Sequence, residues 1–163
     1  MPPISAAYDR ILQALAQHEV EFIVVGGVGA VLHGAPIDTF DVDVVHRRTA
    51  TNIERLIHAL EELDAVYRMG EERRLRPTPE TLAGPAHHLL RTPFGDLDLL
   101  GEIDDGLDFD SLSDQCEVKD LGSGLVLRVL NLDALIRSKQ RTGRPKDMWA
   151  AEILKAVRDE RNG

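Results

Sequence analysis

Apolar residues recur at Ala7, Ile11, Leu12 and Leu15, the spacing of one helix face, and Ser5 stands where an N-cap belongs, so a helix is expected over 5–18. The period then changes. Residues 21–25 end in the continuous apolar run Phe22-Ile23-Val24-Val25, closed by Gly26-Gly27, which predicts a buried strand. Val28 to His33 allows barely two helical turns before Gly34 and Pro36 stop it. Asp41 to Val45 is expected to be the second strand. Residues 51–63 place Ile53, Leu56, Ile57 and Leu60 against Glu54, Arg55, Glu61 and Glu62, an amphipathic helix.

Between Asp64 and Gly84 the pattern breaks up around Pro77, Pro79 and Gly84, and an irregular connection with room for a short strand is expected. His88–Thr92 and Leu97–Leu100 flank Pro93-Phe94-Gly95-Asp96, which predicts a hairpin with Asp96 in its turn. Gly101 to Ser113 is acidic and loop-like. Glu117–Asp120 and Leu125–Val129 flank Gly122-Ser123-Gly124 as a further hairpin. Asn131 suits an N-cap for a helix carrying Leu132, Leu135 and Ile136 that ends near Gly143, and Pro145 suits the first turn of a last helix. Trp149 lies near the apolar side of that helix and is expected in the core or an interface. The element order predicts an α/β (α+β) chain, with a mixed, largely antiparallel sheet flanked by helices. Its 163 residues read as one domain, with 131–163 as a C-terminal helical segment.

Composition narrows the class. A chain that is 43% hydrophobic and 29% charged is that of a globular protein. No apolar run approaches the roughly 20 residues that cross a bilayer. The N-terminal stretch lacks a basic segment followed by an apolar one, so a cytoplasmic location without membrane contact is expected. One cysteine, Cys116, excludes an internal disulfide and a cysteine-rich zinc site. A net charge of −9 argues against a protein whose main task is to grip a long nucleic acid.

The acidity is also locally informative. Asp41 and Asp43 stand two apart in a hydrophobic strand, so they project from one face. Like charges so placed repel unless a cation lies between them, and a divalent metal is the usual answer. Gly26 and Gly27 close the preceding strand. They can simply end it, or they can let a phosphate approach backbone N–H groups. Transfer of a phosphoryl or nucleotidyl group with two metals needs ions about 3.5–4 Å apart, held by carboxylates from neighbouring strands. Asp98, set among Leu97, Leu99 and Leu100, is the third candidate ligand. The arginines at 68, 73, 74 and 76, interleaved with Glu71 and Glu72, read as a solvated loop, with contact to an RNA acceptor as the lesser alternative. His87-His88 reads as surface or strand-edge polarity, and His33 as a helix cap or part of a pocket.

These residues together resemble the nucleotidyltransferase superfamily that includes DNA polymerase beta. Val25-Gly26-Gly27, the thirteen residues 28–40 and Asp41-Val42-Asp43-Val44 match its glycine and acidic motifs. Within it the chain is most similar to small bacterial nucleotidyltransferases of the abortive-infection, toxin–antitoxin type, through His33-Gly34, Gly95–Leu100 and residues 131–147. The resemblance implies transfer of a nucleoside monophosphate from a nucleoside triphosphate to a hydroxyl acceptor, with Mg2+ or Mn2+ held by Asp41, Asp43 and Asp98. Gly26 and Gly27 would cradle the nucleotide phosphates and Lys139 would reach the triphosphate. Lys146 and Asp147 match a lysine-aspartate step of the same motif. In many relatives an arginine stands two residues before the threonine that precedes the acidic pair, and here that position is Ile37, before Thr39.

A toxin-like enzyme acting on RNA such as the tRNA 3′ end, with a cognate antitoxin as partner, is the leading expectation. A transferase for a small, aminoglycoside-like acceptor or a protein side chain is the alternative. A catalytically inactive binding or regulatory protein is a further one.

Overall fold

A computed structural model describes residues 5–163. In chain order its elements are α1 (Ala6–Gln17), β1 (Phe22–Val25), α2 (Gly26–Leu32), β2 (Asp41–His46), α3 (Ala50–Glu62) and β3 (Val66–Tyr67). There follow α4 (Pro79–Leu82), β4 (His87–Thr92), β5 (Gly95–Leu100), α5 (Phe109–Leu112), β6 (Cys116–Asp120), β7 (Val126–Leu130), α6 (Leu132–Thr142) and α7 (Pro145–Asn162). The caps explain several boundaries. Ser5, Thr49 and Asn131 each accept a hydrogen bond from the backbone N–H three residues on, at Tyr8, Asn52 and Ala134. Gly143, at φ +68°, ends α6, and Pro145 opens α7.

The strands form one seven-stranded sheet in the order β3-β4-β5-β2-β1-β7-β6. β1/β2, β3/β4, β4/β5 and β6/β7 pair antiparallel, whereas β1/β7 and β2/β5 pair parallel. This is the mixed, largely antiparallel sheet that the sequence pattern predicts. β2 is central, and its alternation divides the two faces. Val42 and Val44 point with Leu97 and Leu99 of β5 into a core that includes Ile11, Leu12 and Leu15 of α1 and Leu56 and Leu60 of α3. All four of these strand residues are fully buried, so truncating Leu97 or Leu99 to alanine should cost about 2–5 kcal/mol. The opposite face packs Ile23, Val25 and Val45 against Leu135 and Ile136 of α6, Leu154 of α7 and Phe109 of α5. That second cover leaves Asp41 and Asp43 of β2 on the wall of a cleft.

Four local expectations need correction. The turn between β4 and β5 is only Pro93-Phe94, because Thr92 pairs with Gly95 and its hydroxyl both donates to Gly95 O at 2.8 Å and accepts from Phe94 N at 3.0 Å. Asp96 therefore lies inside β5, opposite Arg91, and not in the turn. His88 is 5% exposed and its Nδ1 is 2.8 Å from the Tyr67 hydroxyl, since alternation along β4 turns His87 out and His88 in. Gly101–Ser113 contains α5, started by a capping box at Asp108 and held by buried Phe109 and Leu112. Trp149 is 61% exposed, outside the core, because α7 buries Ala150, Ala151 and Leu154 instead.

Candidate functional site

In the parallel register of β2 and β5, Asp43 stands opposite Asp98 and Asp41 opposite Asp96. Strand alternation sends Asp41, Asp43, Asp96 and Asp98 to one face. One carboxylate oxygen from each of Asp41, Asp43 and Asp98 can be chosen so that all three lie within 4.8 Å of one another. The three predicted carboxylates thus converge. Burial pushes the Asp43 carboxyl up to about 8, with the Asp41 and Asp98 charges adding to the rise and Lys139 opposing it. Asp41 rises to about 6, again chiefly by burial and then through Asp98, with Arg68 opposing.

Asp43 Oδ1 and Asp98 Oδ1 are buried and receive no hydrogen bond. Unpartnered buried carboxylate oxygens are costly, and a hard divalent cation, which prefers oxygen ligands, would satisfy them. The donor set therefore fits Mg2+ or Mn2+.

The sequence pattern did not single out Arg68 as part of this site. Its Nη2 lies 2.8 Å from Asp98 Oδ1 and its Nη1 3.4 Å from Asp96 Oδ2, while Nη1 also donates to Leu90 O at 3.0 Å. The Asp98 contact is an ion pair by distance without hydrogen-bond alignment, which is why Oδ1 remains unpartnered. Arg68 follows β3 directly, and its N–H bonds Leu89 O, which continues the β3/β4 pairing and points the side chain to the Asp98 face. A lone arginine beyond a two-residue strand gives little sequence signal. Of its neighbours, Arg74 and Arg76 pair with Asp64, so these side chains are tied into the β3 edge.

On the other side of β2, Gly26 has φ +61°, and a Cβ there would sit 2.2 Å from Asp43 Oδ2. A Cβ on Gly27 would come within 2.5 Å of Thr39 Oγ1. Both glycines are required by close approach, the first also by its left-handed backbone. Thr39 is fixed in turn, its hydroxyl donating to Asp41 O at 3.1 Å and its carbonyl accepting from the Tyr8 hydroxyl at 3.2 Å.

Gly27, Asp41, Asp43, Lys139 and Lys146 all line one cleft of about 940 Å³. Gly26, through Asp43, and Asp98, through the carboxylate cluster, adjoin it. The corner between α6 and α7 is organised by Asp147, which is 5% exposed. Its carboxylate accepts from Thr142 Oγ1 at 2.7 Å and Arg144 Nε at 2.8 Å and lies 3.6 Å from Lys139 Nζ. These partners hold its pKa below the usual carboxylate range against the opposing effect of burial. Ile37 lines the same cleft and packs partly against the core, so the position at which the resemblance leads one to expect an arginine supplies an apolar surface here. His33 caps α2 and is buried, its Nε2 2.8 Å from Leu130 O; it braces the helix from behind and does not line the cleft.

The structure is similar, with a TM-score of 0.63 and 15% identity, to a lincosamide antibiotic adenylyltransferase, LnuA, with lincomycin bound, over 96% of this chain and 99% of that one. The chain has the nucleotidyltransferase fold. A Thermotoga maritima protein provisionally assigned as a nucleotidyltransferase gives a TM-score of 0.57 at 17% identity, over 94% of this chain and 91% of that one. The antibiotic-resistance factor ANT(2'')-Ia in complex with adenylyl-2''-tobramycin gives 0.56 at 13% identity, over 94% and 95%. No protein-family model matches the sequence. No curated protein matches it either.

Proposed function

We propose that the protein transfers a nucleoside monophosphate from a nucleoside triphosphate to a hydroxyl of its acceptor. The observation that carries this reading is the convergence of Asp41, Asp43 and Asp98, two of whose buried oxygens receive no hydrogen bond, beside a cleft that presents Lys139. In the reaction the acceptor oxygen bonds to the α-phosphorus, the bond from that phosphorus to the bridging oxygen breaks, and pyrophosphate leaves as the hydroxyl loses its proton. Asp41, Asp43 and Asp98 would hold Mg2+ or Mn2+, which when bound neutralises polyphosphate charge and makes a hydroxyl more acidic.

The chain's own groups divide the remaining work. Gly26 and Gly27 let the Asp43 carboxylate and the Thr39 hydroxyl pack directly against the turn, where any Cβ would collide with them, and their backbone N–H groups would face the phosphates. Lys139, held by Asp147, offsets the charge of the transferred phosphate and of departing pyrophosphate. Lys146, exposed at the start of α7, serves the outer phosphates. Residues 131–163 thus form the cationic wall of the same catalytic unit. Asp98 lies on the opposite side of β2 from the glycines, where the acceptor would enter.

A small hydroxylated acceptor is favoured over RNA. Of the arginines at 68, 73, 74 and 76, all but Arg73 are engaged with carboxylates, as is Arg91, so little of this group is left to form the basic groove that an RNA strand requires. The ligands of the structural neighbours, lincomycin and an adenylylated tobramycin, belong to the same small-acceptor class. A toxin role and a cognate antitoxin rest on the sequence resemblance alone.

The test is incubation with Mg2+ and α-labelled triphosphates against hydroxylated antibiotics, total tRNA and protein. Label on a small molecule with equimolar pyrophosphate is expected. Label on tRNA would overturn the choice of acceptor while keeping the reaction. Absence of both label and pyrophosphate with every acceptor would contradict the proposal.

A further inference from the structure

Trp149 is the only tryptophan of the chain, and it stands 61% exposed on the wall of the cleft. It follows Lys146 by three residues on α7, so the two side chains are neighbours on one helix face, about 5–6 Å apart at Cβ. Both line the cleft that holds Asp41, Asp43 and Lys139. Phe40, from the segment leading into β2, lines it too and is 75% exposed. Only seven aromatic residues of the Phe, Tyr and Trp types occur in the sequence, four Phe, two Tyr and one Trp. Two of them therefore lie uncovered beside the cleft's cations. A wall that sets an aromatic ring next to an ammonium group suits a ligand with an anionic end and a flat aromatic end.

We propose that Trp149 is the platform on which the base of the nucleotide stacks, with Phe40 as a second apolar surface. This deepens the proposed function and rests on its reading of the cleft as a nucleotide site. Of the polar side chains that line the cleft with Trp149, Arg144 and Lys139 are held by Asp147 and Asp41 and Asp43 belong to the carboxylate cluster, while Lys146 and Asp38 make no ion pair among the described residues. An exposed ring recognises the base by its face, and stacking tolerates every base. The site accepts all four nucleoside triphosphates within about tenfold in affinity, with purines binding more tightly than pyrimidines.

Because the tryptophan is unique, its emission reports the contact directly. Titrating ATP, GTP, CTP and UTP with Mg2+ into the full chain should quench it saturably, and inorganic tripolyphosphate should bind by calorimetry without quenching. By calorimetry, Trp149→Ala should weaken ATP roughly 5- to 150-fold, leave tripolyphosphate affinity unchanged, and be largely rescued in Trp149→Phe. An equal loss for ATP and tripolyphosphate would assign the residue a structural role and overturn the inference, as would an unchanged ATP affinity. Emission that responds to RNA alone, or to dilution of the protein and not to nucleotide, would assign the ring to an acceptor strand or a second copy and also overturn it. Tripolyphosphate binding without any nucleotide-dependent quench would sink this inference and leave the proposed function standing. Failure of both ATP and tripolyphosphate to bind would remove the two together.

Discussion

The two sides of β2 handle positive charge in opposite ways. Toward α6 and α7, a buried carboxylate, Asp147, gathers Thr142, Arg144 and Lys139, and the ammonium of Lys139 stands near enough to Asp43 to oppose the rise in its pKa. Toward β5 and β4 the order is reversed. Arg68 is drawn onto Asp98 and Asp96, and Arg91 onto Asp96 and Glu71. One wall uses a buried acid to present cations to the cleft, and the other uses arginines to offset acids. The first suits a polyphosphate; the second leaves a surface near neutrality for an acceptor that need not be an anion.

The largest expected effect falls where the two sides meet. Asp43→Asn should lower kcat/KM by about 10³-fold or more, because several kcal/mol of charge stabilisation depends on the carboxylate cluster. Pyrophosphate release is the readout, and a loss of less than about tenfold would break the comparison at its centre. On the polyphosphate side, Lys139→Met should cost about 10²-fold in kcat/KM, with part recovered in Lys139→Arg. Asp147→Asn should act through KM for the triphosphate by about tenfold, since it frees the lysine without removing it. A larger loss in Asp147→Asn than in Lys139→Met would show that Asp147 does more than hold the lysine.

Arg68 sharpens the contrast from the other side. Arg68→Ala leaves Asp98 and Asp96 less compensated, so the metal-free protein should melt lower, and Mn2+ should raise its Tm by more than it raises that of the unsubstituted protein. Equal increments in differential scanning calorimetry would mean that Arg68 is not the charge offsetting Asp98 when metal is absent.

The smallest effect is in the pH dependence of stability without metal. Asp43 has a folded pKa of about 8, well above its ordinary value near 3.8. The folded state therefore holds the extra proton across that interval, and stability falls as pH rises through 8. The buried histidines 33, 46 and 88 have lowered pKa values and act in the opposite sense only below about 6.5. Between pH 7 and 8.5 the Asp43 trend is therefore separated from theirs. Asp43→Asn should flatten it and raise Tm at pH 8 by a few degrees, at about 2–4 °C for each kcal/mol. A variant that melts lower than the parent at pH 8 would contradict the assignment of burial as the cause.

The side of β2 toward α6 and α7 was far more legible in the sequence than the side toward β5 and β4, for physical reasons. Asp41-Val42-Asp43-Val44 combines a strand period with charges that a buried face does not tolerate alone, and Gly26-Gly27 marks a place where no Cβ fits. Asp98 was readable through its leucine neighbours. Asp96 was misplaced, because the sequence does not reveal that Thr92 closes the hairpin with a two-residue turn. Arg68 went unassigned, since its direction is set by β3, two residues long, whose pairing with β4 is a long-range event. Trp149 reads as core or interface because it neighbours the apolar stripe of α7, and the core half of that expectation fails because alanines at 150 and 151 already fill the seam. Periodicity located the elements and charge pairs located the carboxylates. Which cation met which acid required the fold.

The most direct test of the central claim is a calorimetric titration of ATP into the metal-free protein, with and without Mg2+, repeated on Asp41→Asn/Asp43→Asn. One binding site that requires Mg2+ is expected in the parent, and it should be lost in the double variant without a fall in Tm. Binding of ATP with equal affinity without Mg2+, or in the double variant, would contradict the claim.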